Sequence, residues 1–208
     1  MELLEALTNN ALSIWLREST SIFAYPTLIA IHTIGMAFLV GTSCGVALRM
    51  IGFAPDLPLS SLAGFFRLMW LGLVINAISG ALLVMQDATT FLTMPTFYLK
   101  LLAIAAAMTL VRLLQRSVRA ATDASAGVTP GARAAAFALF GAWLIAVTAG
   151  RVTAYASWVG IETAVAVVTV TAVLLVAGFV VVRVWLGAHR PPVRRADARA
   201  RAATLAKH

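Results

Sequence analysis

Thirty consecutive residues, Ser19 to Leu48, carry no formal charge. A hydrocarbon core of about 30 Å is crossed by roughly 20 apolar residues in a helix, so this stretch is long enough to span a bilayer. Lipid offers no partner for backbone N–H and C=O groups, which leaves only helices and closed barrels as spanning structures. The apolar residues here are contiguous rather than alternating, and that selects a helix. Further runs of the same kind follow, and 61% of the 208 residues are hydrophobic against 12% charged. The expected fold is an all-α, polytopic transmembrane helical bundle with no separate soluble domain.

The gaps between charges define about five spans: 26–48, 63–84, 95–114, 134–150 and 161–186. Pro26 suits a first helical position, where its missing N–H would be unpaired anyway. In the third span only eleven residues separate Lys100 from Arg112, so both side chains must snorkel toward the headgroups. The basic residues orient the bundle. With the N-terminus outside, thirteen lysines and arginines fall inside and only Arg17, Lys100 and Arg151 outside. The expectation is a bacterial inner-membrane protein with a periplasmic N-terminus and a cytoplasmic C-terminus.

Residues 21–187 then form the membrane domain, and 188–208 form a basic cytoplasmic tail. Anionic lipid headgroups are the expected partner of that tail; no aromatic or motif context points to nucleic acid. Residues 1–20 carry Glu2 and Glu5 instead of the basic start of a signal peptide. Leu3, Leu4, Leu7, Leu12, Trp15 and Leu16 recur at helical spacing opposite Glu5, Asn9, Ser13 and Arg17. That pattern predicts an amphipathic helix on the outer membrane face, or one capping the bundle of its own or a neighbouring chain. Cys44 is the sole cysteine, so there is no internal disulfide, and Gly41 and Gly45 around it form a small-xxx-small pattern suited to close helix approach.

His32 is the only histidine inside a long apolar segment, since His189 and His208 lie at the inner end and in the tail. An ionisable side chain at membrane depth faces a bundle interior, a partner or a cofactor. Met36, four residues on, shares its face. Under the orientation above, Asn76, Lys100, Arg151, Tyr155 and Glu162 belong to the same outer side. Two readings stay open. In one, Lys100 and Arg151 pair with Asp87 and Glu162, while His32 and Asn76 bridge helices by hydrogen bonds. In the other, His32 binds haem b or copper in an electron-transfer or metal-handling subunit, with Met36, Met85 or Met94 as a thioether partner. One chain cannot supply two histidines at matching depth, so a haem form requires a methionine ligand, a five-coordinate iron or a homodimer.

The segments Phe23–Gly41, Ala47–Gly52, F-Y-L-K at Phe97–Lys100 and A-G-R-V-T-A-Y at Ala149–Tyr155 resemble a family of uncharacterised bacterial multi-pass membrane proteins. The likeness covers roughly residues 20 to 160. It is matched at His32, Lys100, Gly150, Arg151 and Tyr155, and adds weight to these positions without assigning an activity. The chain is more distantly similar to the copper-resistance D membrane proteins and to b-type-cytochrome-like membrane bundles, from which it differs in carrying a single intramembrane histidine. Gly150 would let Arg151 leave the helix end and turn inward, and an arginine fork there suits a haem propionate or another carboxylate.

No GxSxG elbow, HExxH, phosphate loop or dinucleotide fingerprint is present, and no span holds paired carboxylates. A stand-alone enzyme is therefore not expected. The remaining classes are a redox or metal-binding membrane subunit, a small-solute or copper transport component, and an architectural anchor for a periplasmic or membrane partner.

Overall fold

The computed structural model describes residues 2–124, 128–155 and 161–188. Its contacts divide the chain into two units, Met1–Ala172 and Val173–His208. The elements are α1 (Glu2–Thr8), α2 (Ala11–Glu18), α3 (Tyr25–Ile51), a 3-10 turn (Leu59–Leu62), α4 (Ala63–Met85), α5 (Ala88–Phe91), α6 (Pro95–Ala124), α7 (Pro130–Tyr155) and α8 (Ile161–Ala188). There is no strand among the described residues. The protein is an all-α helical bundle, and four segments, Tyr25–Ile51, Leu59–Met85, Pro95–Ala120 and Pro130–Thr153, are long and apolar enough to cross a membrane. α8 covers the segment expected to be a fifth span, and its described apolar stretch, Val168–Val181, is shorter. The tail from residue 189 lies outside the described residues.

Prolines start three of the five long helices. Pro26 sits in the first turn of α3, and Pro95 and Pro130 open α6 and α7, where a missing N–H costs nothing. Gly52 ends α3 in the left-handed conformation, φ 114°, with its N–H on the carbonyls of Leu48 and Arg49. Only glycine adopts that backbone without a Cβ penalty. Arg49 then ties down the following loop, donating from Nε to the Leu57 carbonyl at 2.7 Å and from Nη2 to the Pro55 carbonyl at 2.8 Å. α6 and α7 run past the expected limits of 95–114 and 134–150. Charges mark where hydrocarbon gives way to headgroups, and a helix need not stop there. Arg112 accordingly stays in α6 and lies over the Trp70 ring, 5.2 Å from its centroid.

Two helical hairpins carry the packing, α3 on α4 and α6 on α7, and α3 also touches α7. The α3–α4 contact is close because glycines face each other. A Cβ on Gly72 would come within 2.8 Å of the Gly35 carbonyl oxygen and of the Leu39 nitrogen, and one on Gly35 within 3.0 Å of the Asn76 nitrogen. Gly41 and Gly45 would meet nothing within 4 Å. The expected small-residue contact thus exists in α3 at a different place, one to three turns nearer the N-terminus. Along α6 and α7 the buried residues include Ala103, Ala107, Val111, Leu114 and Val118 against Ala132, Ala136, Leu139, Ala146 and Ala149. Their three- and four-residue spacing and small size give a closely packed seam.

The N-terminal segment departs from a single surface helix. It forms two short helices broken at Asn9 and Asn10, with the Asn10 side chain capping α2 by accepting from the Ser13 N–H at 2.9 Å. In α2, Ser13 and Leu16 are buried whereas Leu12, Ile14 and Trp15 are exposed. One polar and one apolar residue thus face the protein, while Arg17 and Glu18 are exposed along with Leu12, Ile14 and Trp15. The C-terminal carbonyls of α4 explain the burial of Ser13. Ser13 Oγ donates to the Met85 carbonyl at 2.8 Å and Arg17 Nη1 to the Gln86 carbonyl at 3.0 Å, supplying donors that the helix itself lacks at this end.

Candidate functional site

His32 stands on α3 beside α4 and is held from two directions. Ser79 Oγ–H donates to the Ile75 carbonyl at 2.6 Å, so its oxygen is left to accept from His32 Nδ1–H, 2.9 Å away. This assignment puts the ring proton on Nδ1 and the lone pair on Nε2. Asn76 Nδ2 donates to the His32 carbonyl at 3.0 Å and stands 3.5 Å from Nε2. Gly80 makes room for the ring, because a Cβ there would lie 3.2 Å from His32 Cε1. Asn76 and Ser79 are buried; the three polar side chains form an interhelical clasp directly beyond the Gly35–Gly72 contact.

On the other side of His32 lies a cavity of about 430 Å³ within the first unit, lined from α3, α4, α6 and α7, with Arg17 of α2 also on its wall. Ile29, Leu83, Phe97 and Val147 make much of it apolar. Three cations, Arg17, Lys100 and Arg151, and one carboxylate, Asp87, also line it. The stem of Lys100 passes over Gly150, where a Cβ would be 3.3 Å from Lys100 Cδ and 3.6 Å from Nζ. Gly150 therefore accommodates the lysine. It does not release Arg151 from the helix, because α7 continues unbroken through Arg151 to Tyr155.

Of the residues singled out by sequence, His32, Met36, Lys100 and Arg151 all line this cavity. Asn76 is buried behind the His32 ring and is not on the wall. Tyr155 ends α7, and its side chain, like that of Glu162, lies outside the described residues. The expected pairing of Lys100 with Asp87 is not formed: Asp87 caps α5, accepting from the Thr90 N–H at 3.2 Å and from Thr89 Oγ1–H at 3.1 Å. Among the described residues the salt bridge present is Arg17–Glu18, 3.3 Å apart. Met85 and Met94 are not on the cavity wall. Sequence reasoning missed Ser79, Gly80, Arg17 and Gln86. Ser79 was accessible from its i, i+3 relation to Asn76; the other three depend on which helix lies opposite.

The donor set bears on haem and copper. Groups of three or more His, Cys, Asp and Glu side chains that could hold a metal ion are absent among the described residues. His32 and Met36 offer one imidazole and one thioether at the same wall. Cys44 stands in α3 as a free thiol, well beyond the cavity residues. No protein-family model matches the chain, and no curated protein and no solved structure matches it. Fold and composition together define a membrane-embedded helical bundle with an open cavity whose wall carries cations.

Proposed function

We propose that this chain is a small membrane subunit that binds an amphiphile, with an apolar body and an anionic head, in the cavity between α3, α4, α6 and α7. The observation that carries this reading is the wall itself, apolar over much of its area yet holding the half-buried ammonium of Lys100, which makes no salt bridge among the described residues. An ammonium in a partly desolvated site is costly unless an anion meets it, and an anionic head supplies one. Bacterial inner-membrane placement with the N-terminus outside, from thirteen basic residues against three, puts the cavity in the outer half of the bilayer and its ligand within reach of the outer leaflet.

Haem b is a redox-active member of this ligand class, with a flat apolar ring and two carboxylates. For His32 to hold it, the ring would have to turn Nε2 away from Asn76, 3.5 Å off, and toward the cavity. A second donor would have to come from Met36 or from another copy of the chain, and Lys100 and Arg151 would hold the carboxylates. Copper has less support, because a stable site needs more donors than one imidazole and one thioether.

The test is analysis of what the detergent-purified protein carries. Organic extraction and mass spectrometry should find an anionic amphiphile at near-equimolar amount, and Lys100→Gln should lower its occupancy by about tenfold or more. A Soret band that disappears in His32→Ala would identify that amphiphile as haem b. Wild-type protein with no bound amphiphile, and no saturable uptake of added oleate, would overturn the reading and leave an architectural anchor as the better account.

A further inference from the structure

Toward the other end of the same helices from the cavity, Arg112 of α6 holds its guanidinium carbon 5.2 Å from the centre of the Trp70 ring of α4. Arg112 is exposed and Trp70 is half-buried. Helical register adds two cations beside this pair. Arg116 follows Arg112 by one turn and Arg67 precedes Trp70 by three residues, and both are exposed. None of the three arginines takes part in a salt bridge among the described residues, and the exposed Asp56, in the loop between α3 and α4, pairs with none of them.

Depth and surface decide what meets these cations. Arg112 stands twelve residues after Lys100, about 18 Å along α6 at 1.5 Å per residue, against a hydrocarbon core of about 30 Å. An exposed arginine so placed is costly unless an anion comes to it. A guanidinium over an indole face keeps its in-plane N–H donors, and a phosphate takes two of them at once. On α4, Arg67, Leu71, Val74 and Ile78 follow one another at four-, three- and four-residue steps and are all exposed, so the arginine ends an apolar stripe about 16 Å long. A soluble anion meets the arginines but not the stripe; a phospholipid meets both. We propose that Arg112, Trp70, Arg67 and Arg116 form a binding site for an anionic phospholipid, its phosphate on the arginines and an acyl chain along the α4 stripe. Three cations without a paired carboxylate select a net-negative headgroup over a zwitterionic one, whose ammonium they repel. The site is independent of what the cavity binds.

The test is native mass spectrometry of the full-length protein in detergent, titrated with dioleoylphosphatidylglycerol or dioleoylphosphatidylcholine. The wild type should bind its first phosphatidylglycerol about tenfold more tightly than phosphatidylcholine, the worth of one charge-assisted hydrogen bond. Arg112→Gln should remove most of that preference. Trp70→Leu leaves every charge in place and should still lower it about threefold, which a diffuse charge effect would not do. Arg133→Gln, an equal loss of charge on α7, should leave the preference unchanged. Arg67→Gln supplies the same comparison should Arg112→Gln lower the thermal unfolding midpoint. Equal binding of the two lipids, equal losses from Arg112→Gln and Arg133→Gln, displacement of the lipid by millimolar glycerol phosphate, or a dimer that excludes the lipid each overturns the assignment.

Discussion

At the scale of single residues, His32 is both a structural clasp and part of a wall. Its ring is anchored by Ser79 and approached by Asn76, while another part of the side chain lines the cavity. Removing Ser79 Oγ would strand the His32 Nδ1–H in a low-dielectric interior, where interhelical hydrogen bonds are worth about 0.6–2 kcal/mol. Ser79→Ala should therefore lower stability by that order in detergent unfolding, and Ser79→Thr should restore much of it. The glycines give a sharper contrast. Gly72→Ala forces a methyl against the Gly35 carbonyl and the Leu39 nitrogen at 2.8 Å, backbone atoms that cannot rotate away, and should cost about 1–3 kcal/mol. Gly41→Ala and Gly45→Ala meet open space and should be close to neutral in the same unfolding measurement, unless a second copy of the chain covers that face.

Among the elements, α2 is held to the bundle by polar groups as well as by Leu16. Its leucines and tryptophan suit contact with lipid, and Trp15 is 45% exposed while Ser13 and Leu16 are buried. Beside lipid, an outward apolar face has no cost, and the carbonyls at the end of α4 require donors. The expected consequence of Ser13→Ala is loss of the 2.8 Å bond to Met85 with a stability change of about 0.5–1.5 kcal/mol. Because Arg17 of the same helix lines the cavity, deletion of residues 2–18 should weaken ligand binding more than Ser13→Ala does, measured by the oleate titration. Equal effects would assign α2 a capping role alone.

For the whole molecule, four helices meet the length and hydropathy of membrane spans, and α8 continues as helix over the fifth apolar segment. Five crossings with the N-terminus outside predict that reporter fusions after residue 188 are cytoplasmic, and that fusions in the loop between α3 and α4 are cytoplasmic too. A periplasmic signal from both positions would overturn the orientation. A periplasmic signal from the first alone would reduce the crossings to four and leave the placement of the cavity in the outer half unchanged.

The sequence by itself determined that the chain is a helical membrane bundle, where α3, α4, α6 and α8 start, and that His32, Met36, Lys100 and Arg151 belong to one region. Those properties follow from local causes: uninterrupted apolar length, prolines at first turns, and the cost of placing polar groups in hydrocarbon. Only the tertiary structure decided the rotation of each helix about its axis. It brought Gly35 rather than Gly41 and Gly45 to the interface, laid Lys100 over Gly150, turned Ser13 of α2 inward and put Gln86 on the cavity wall. In water that rotation is written in the hydrophobic pattern, because one face must be polar. In a bilayer the lipid-facing and protein-facing sides are both apolar, so the rotation is fixed by close packing and by interhelical hydrogen bonds between residues far apart in sequence.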